Sequence, residues 1–221
     1  MVANTDLVYE SLAEIHEEKL VERIVGDVMW GREFFQLYGM PPGMRNKQCV
    51  SLQTAPGAPR GDIDVLFSAS NIPEQSVAYQ IKRIKLGTNQ LRNGTPGKLQ
   101  KFKKLAQQAN LLAEMGFWQV YAYAIVVVDA REQNAEEERS GKKLVLTGLS
   151  SELRSKLEAA LSFATQFFDA RVGFGEMQFI QTMDSAPFTV GTHSLHLRRL
   201  AKPTAQSVPL TEWVADIFSQ P

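Results

Sequence analysis

The spacing of apolar positions divides the chain into segments whose period switches between helix and strand. Residues Thr5 to Val25 are rich in Glu, Leu, Ala and Lys, contain no Pro or Gly, and have Thr5 or Asp6 as an N-cap, which predicts a long helix interrupted at Gly26. Asp27 to Tyr38 predicts a second helical stretch, stopped by Gly39, Pro41, Pro42 and Gly43. Cys49 to Leu52 is a short strand candidate. In Asp62 to Phe67, Ile63, Val65 and Phe67 share one face of an extended segment and Asp62, Asp64 and Leu66 the other. After a polar stretch from Ser68 to Gln75, the segment Val77 to Lys85 sets Val77, Tyr79 and Ile81 against Gln80 and Lys82.

The remaining pattern predicts a helix from Lys98 to Met115, with Leu99, Phe102, Leu105, Ala109 and Leu112 at three-and-four spacing and Gly116 as its cap. Trp118 to Val128 is nearly continuous in β-branched and aromatic residues, as in a strand covered on both faces. Asp129 to Lys143 is a charged excursion. A third helix is predicted from Leu149 to Phe168, entered through Ser150 or Ser151, then strands at Val172 to Met183 and Phe188 to Leu200 and a terminal helix at Leu210 to Phe218. Gly87 to Gly97 reads as a flexible loop.

Composition narrows the class. With 221 residues, 44% hydrophobic and 22% charged, the chain suits one sizeable soluble domain. The longest uninterrupted apolar run, Val120 to Val128, falls far short of the ~20 residues that span a bilayer, and the first residues lack a basic-then-apolar signal, so a cytoplasmic protein that avoids membranes is expected. The single cysteine, Cys49, excludes an internal disulfide and a cysteine-built zinc cage. His193 and His196 are three apart, on opposite faces of a strand, and make a poor metal pair. Nucleophile elbow, phosphate loop, zinc-protease and dinucleotide fingerprints are absent from the sequence.

Charge carries more information by position than in total. Lys plus Arg equals Asp plus Glu at 24 each, so bulk charge gives no case for a polyanion partner. Between Glu74 and Glu114, however, there is no acidic residue, while Lys82, Arg83, Lys85, Arg92, Lys98, Lys101, Lys103 and Lys104 are all positive. Such a segment would bear strongly on phosphate, with Arg83, Lys85, Arg92, Lys98 and Lys101 as candidate nucleic-acid contacts. The same lysines are also what a solvated helix face would carry.

Folding the strands of residues 62–67 and 77–85 into a hairpin about residue 72 makes cross-strand numbers sum to roughly 144. Asp64 then faces Gln80 and Asp62 faces Lys82, which gathers a carboxylate, an amide and an ammonium on one face. The string Gly61-Asp62-Ile63-Asp64-Val65 followed by Gln80-Ile81-Lys82, between helices, resembles the PD-(D/E)xK nuclease superfamily, and within it the Mrr-like restriction-endonuclease branch, where Gln-x-Lys replaces acidic-x-Lys. The superfamily's Pro-Asp is absent here, since Asp62 follows Gly61.

The resemblance implies an α/β restriction-endonuclease-like core of order α-β-β-β-α-β, a mixed sheet flanked by helices, over residues 1–130, with residues 131–221 as a C-terminal α+β extension packed on the same domain. It implies Asp64 and Gln80 as ligands of Mg²⁺ or Mn²⁺, Lys82 as catalytic lysine, and a Glu from the first helix as a further ligand. Glu10, Glu14, Glu17, Glu18, Glu22 and Glu33 are the candidates. Glu17 leads because it flanks the apolar stripe Tyr9, Ala13, His16, Leu20 and Ile24. The implied function is metal-dependent hydrolysis of DNA phosphodiester bonds by a restriction or defence endonuclease, with a homodimer as a possible form. A nuclease-like domain that binds nucleic acid or a partner without cutting, and a purely structural subunit, stay open beside it.

Overall fold

The computed structural model describes residues 15–26, 44–69, 71–94, 96–131, 149–181 and 192–220. Glu10, Glu14, Glu33, the helix expected at Asp27 to Tyr38 and most of the charged excursion lie outside the described residues. The elements run α1 (Glu17–Gly26), β1 (Arg45–Ser51), a 3-10 turn (Leu52–Thr54), β2 (Asp62–Ala69), β3 (Ile72–Gly87), α2 (Thr88–Arg92), α3 (Pro96–Met115), β4 (Gln119–Asp129), α4 (Ser151–Ala164), a second 3-10 turn (Thr165–Phe167), β5 (Gly173–Gln181), β6 (Thr192–Arg199) and α5 (Val208–Ser219).

The six strands form one mixed sheet in chain order, β1 to β6. β1, β2 and β3 are antiparallel neighbours, β3, β4 and β5 are parallel, and β6 returns antiparallel. The two parallel pairings require crossovers, which α3 and α4 supply. The sheet separates two apolar layers. Leu105 and Leu112 of α3, Leu157 and Leu161 of α4, and Trp213 and Val214 of α5 pack with Leu66, Ala78, Ile84, Ala122 and Val126 on one face. On the other, Ile15 and Leu20, Val21 and Ile24 of α1 pack with Val65, Phe67, Tyr79, Ile81, Tyr121 and Phe179. β4 is buried on both faces, as its unbroken apolar run requires.

Several boundaries depart from the expectations. The polar stretch 68–75 is mostly strand: β2 extends to Ala69 and β3 starts at Ile72, with a register shift between Phe67 and Ala69 that absorbs the tighter turn. The inner register still sums to 144 through Val65–Tyr79, Leu66–Ala78 and Phe67–Val77. The loop expected from Gly87 to Gly97 contains the short helix α2, where the Gln90 side chain accepts from Gly87 N at 3.0 Å. Asp129 closes β4 instead of opening a solvated excursion, and Arg131 holds both its oxygens, Nε to Oδ1 at 2.8 Å and Nη2 to Oδ2 at 2.7 Å. α4 begins where its serines predicted, with Ser150 Oγ accepting from Leu153 N.

Candidate active site

The site forms where β2 leaves β3. The β2–β3 ladder starts at Val65–Tyr79, while upstream Asp62 pairs with Ser51 of β1. Past this point the edge of β3 presents the N–H groups of residues two apart, and two carboxylates take them. Asp64 Oδ2 accepts from Ile81 N at 2.6 Å, and Glu17 Oε2 accepts from Arg83 N at 2.7 Å. Glu17 Oε1 accepts from Lys82 Nζ, also at 2.6 Å. Gln80, nearly fully buried, donates Nε2 to the Asp62 carbonyl at 2.6 Å. A buried strand end cannot leave its amides unpaired, so these side chains stand in for the missing strand partner.

Each residue is placed by local structure. Glu17 opens α1, where the helix dipole favours an acid, and the packing of Leu20, Val21 and Ile24 on Tyr79 and Ile81 brings that helix end to β3. The strand period puts Gln80 and Lys82 on the α3 side of the sheet. Asp62 was expected opposite Lys82; instead Asp62 is exposed and Lys82 reaches Glu17, because the strands have already separated at that level. Glu17, the leading candidate among the helix acids, is the one among the described residues that binds Lys82, and its charge is felt by Asp64. Glu18 lies within electrostatic reach of Cys49, whose thiol is pushed up by burial first and then by the charges of Asp64, Glu18 and Asp62. Cys49 has φ 52°, a left-handed conformation, between the pairs Gln48–Val65 and Val50–Ile63 and so level with Asp64.

The electrostatics single out Asp64. Burial pushes its carboxyl up to about 6, opposed by the Ile81 hydrogen bond, and the neighbouring Glu17 charge raises it further while Lys82 pulls it down. Negative charge here is held against a desolvation cost that its neighbours compensate only in part.

The candidate basic residues divide into three groups. Arg83 and Lys101 belong to the site: burial, the leading cause, lowers both, and both feel Glu17, while Lys101 also feels Lys98, Lys82 and Arg83. Lys85 and Lys98 line a cleft of ≈ 280 Å³ with Gly87, Asn89, Gln90 and Asp129, at the carboxyl ends of β3 and β4. Arg92 stands apart, at the junction of α2 with α4, where its carbonyl accepts from Lys156 Nζ at 3.1 Å.

Sequence reasoning missed a second polar cluster. Glu176, fully buried on β5, is held by Arg198 through Nη2 at 2.5 Å and Nε at 3.2 Å, and Arg198 Nη2 also reaches Glu158 of α4 at 2.6 Å. Gln178 Nε2 donates to Glu176 at 2.7 Å and to Glu158 at 3.2 Å. The signal was the alternation Phe174, Glu176, Gln178, Ile180, which puts two polar groups on a helix-covered face.

Glu17 and Asp64 carboxylates and the Gln80 amide oxygen are hard donors of the kind Mg²⁺ and Mn²⁺ take, and a cation would relieve the cost of ionising Asp64. Among the described residues no group of three or more His, Cys, Asp or Glu is arranged to hold a metal, so such a site depends on Gln80 as a neutral third donor. Compared with known proteins, the chain matches no family model, no curated protein and no solved structure. No helix among the described residues is long and apolar enough to cross a membrane.

Proposed function

We propose that this chain is a metal-dependent nuclease that hydrolyses DNA phosphodiester bonds, an endonuclease of restriction or defence type acting in the cytoplasm. The observation that carries the reading is that Asp64 takes the Ile81 amide while Glu17 takes the Arg83 amide and the Lys82 ammonium, on the edge of β3 where β2 and β3 part. The order α1-β1-β2-β3-α3-β4, interrupted only by the short α2, is the order that the resemblance to the PD-(D/E)xK superfamily implies. Asp64, Glu17 and Gln80 would hold Mg²⁺ or Mn²⁺, which when bound supplies charge stabilisation at the phosphoryl oxygens and a more acidic water. Lys82, half-exposed beside Glu17, is placed to neutralise charge that builds on the phosphate, and Arg83 and Lys101 add positive potential around it.

Incubating the protein with supercoiled plasmid and Mn²⁺ or Mg²⁺ tests this. Nicking or linearisation is expected, and Asp64→Asn and Lys82→Ala should each lower it by about 10²-fold or more, the usual scale for losing an electrostatic stabiliser. Cleavage that survives both substitutions sinks the proposal.

One observation favours a second reading, a domain of this fold that binds nucleic acid or a protein partner without cutting. Glu17 accepts from the Lys82 ammonium and the Arg83 amide, and the Gln80 nitrogen donates to the Asp62 carbonyl, so these groups have partners without a metal ion. Calorimetric titration with Mn²⁺ separates the two: the nuclease reading requires heat of binding that Asp64→Asn removes, and the binding-domain reading requires none.

A further inference from the structure

The cleft at the carboxyl ends of β3 and β4 is set apart from the carboxylates. Lys85 comes from the last residues of β3 and Lys98 from the first turn of α3, and Asn89 and Gln90 of α2 share the lining with them. The only acid that lines it among the described residues, Asp129, is paired by the two-pronged contact with Arg131 and by Lys85 Nζ at 3.8 Å, so the described lining is cationic in balance. The Arg131 hydrogen bonds hold the Asp129 carboxyl below its ordinary value, with Lys85 adding to the effect. Crevices beyond the carboxyl ends of parallel strands are where α/β sheets take ligands.

A row of cations joins this cleft to the candidate active site. Lys101 lies within electrostatic reach of Lys82, Arg83 and Lys98, and Lys98 lines the cleft. Lys82 and Lys85 are three residues apart along β3 and so leave opposite faces of the strand, and the path between the site and the cleft runs on the Lys82 side, through Lys101 and Lys98 of α3.

We propose that the cleft is a second phosphate seat, in which Lys85 and Lys98 hold the backbone of the same nucleic-acid strand beyond the bond at Lys82, with Lys101 between the two. This rests on the nuclease reading for what happens at Lys82, and it deepens that reading by naming where the substrate's backbone is held away from the bond that is cut. Asn89 and Gln90 supply neutral hydrogen bonds at the same seat.

The test reads binding, not cutting, and so stands apart from catalysis. A short fluorescein-labelled DNA oligonucleotide is titrated by anisotropy against the full chain carrying Asp64→Asn, and against the same chain with Lys85→Gln and Lys98→Gln added. The expected result is about a tenfold loss of affinity and a fall of ~1–2 in the slope of log affinity against log salt, as for two lost phosphate contacts. Lys202→Gln, near the opposite end of the sheet beside Thr204, should leave the slope unchanged. An unchanged slope in the double variant, or an equal fall with Lys202→Gln, overturns the proposal, the second by showing diffuse attraction. Circular dichroism confirms that each variant is folded. Wild-type plasmid cleavage that persists while the cleft variants bind normally refutes the seat alone, whereas cleft-dependent binding without cleavage refutes the nuclease reading alone.

Discussion

Asp64 is a residue whose position costs the fold something. The folded protein keeps its proton up to about pH 6, whereas an unfolded chain releases it near the ordinary value of 3.8. The native state therefore binds more protons between these limits, so stability falls as pH rises from about 4 to 6 and stays lower above that window. Asp64→Asn keeps an acceptor for Ile81 N and removes the buried charge. In the presence of a chelator at pH 7 it should stabilise the protein, by up to about 3 kcal/mol, as read from urea unfolding, and flatten the loss of stability between pH 4 and 6. A destabilised variant would mean that Asp64 is a structural strand cap. Cys49 reports the same charge from the neighbouring strand: with Asp64 neutral, its thiol should ionise more readily and its alkylation at pH 7.5 should accelerate several-fold. An unchanged rate would show that the two groups are not coupled.

At the scale of elements, β5, β6 and α4 are joined by a polar pin. Glu176 is fully buried and Arg198 holds it, so removing the arginine alone leaves a buried carboxylate without its cation. Arg198→Met should cost about 3–5 kcal/mol in thermal or urea unfolding, and adding Glu176→Gln should recover much of that. Equal loss in the single and double variants would contradict the pairing. This pin also marks the limit of what could be read from residue patterns. Period and turn residues predicted β2, β3, the 144 register and the shared face of Gln80 and Lys82, because strand alternation and hairpin geometry are local. The choice of Glu17 over its neighbours followed from one apolar stripe. What escaped was contact between distant segments: Lys82 with Glu17, 65 residues apart, and Arg198 with Glu158, 40 apart. No local period encodes such contacts. Extending β2 to Ala69 and β3 to Ile72 likewise required the β-sheet itself, since Ser68 and Pro73 read locally as turn residues.

The whole molecule holds equal numbers of acids and bases but arranges them unevenly, and α1 is bound to the sheet at one end through Glu17. A cation at Asp64 and Glu17 would therefore join elements from opposite sides of the split between β2 and β3, and binding to the folded state alone would raise global stability. At a thousandfold excess of Mn²⁺ over its dissociation constant the gain is about 4.1 kcal/mol, more than the ~3 kcal/mol advantage of Asp64→Asn. For a chain of this size that is a rise of roughly 8–16 °C in melting temperature. Asp64→Asn should remove the rise, and since it is the more stable protein with chelator, the two curves should cross as Mn²⁺ is added. A carboxylate retained only to cap β3 cannot produce that crossing, because its loss would lower stability with or without the metal. Parallel melting curves at every Mn²⁺ concentration would dissociate Asp64 from any metal site, and the fold would then have to be read as a scaffold for binding alone.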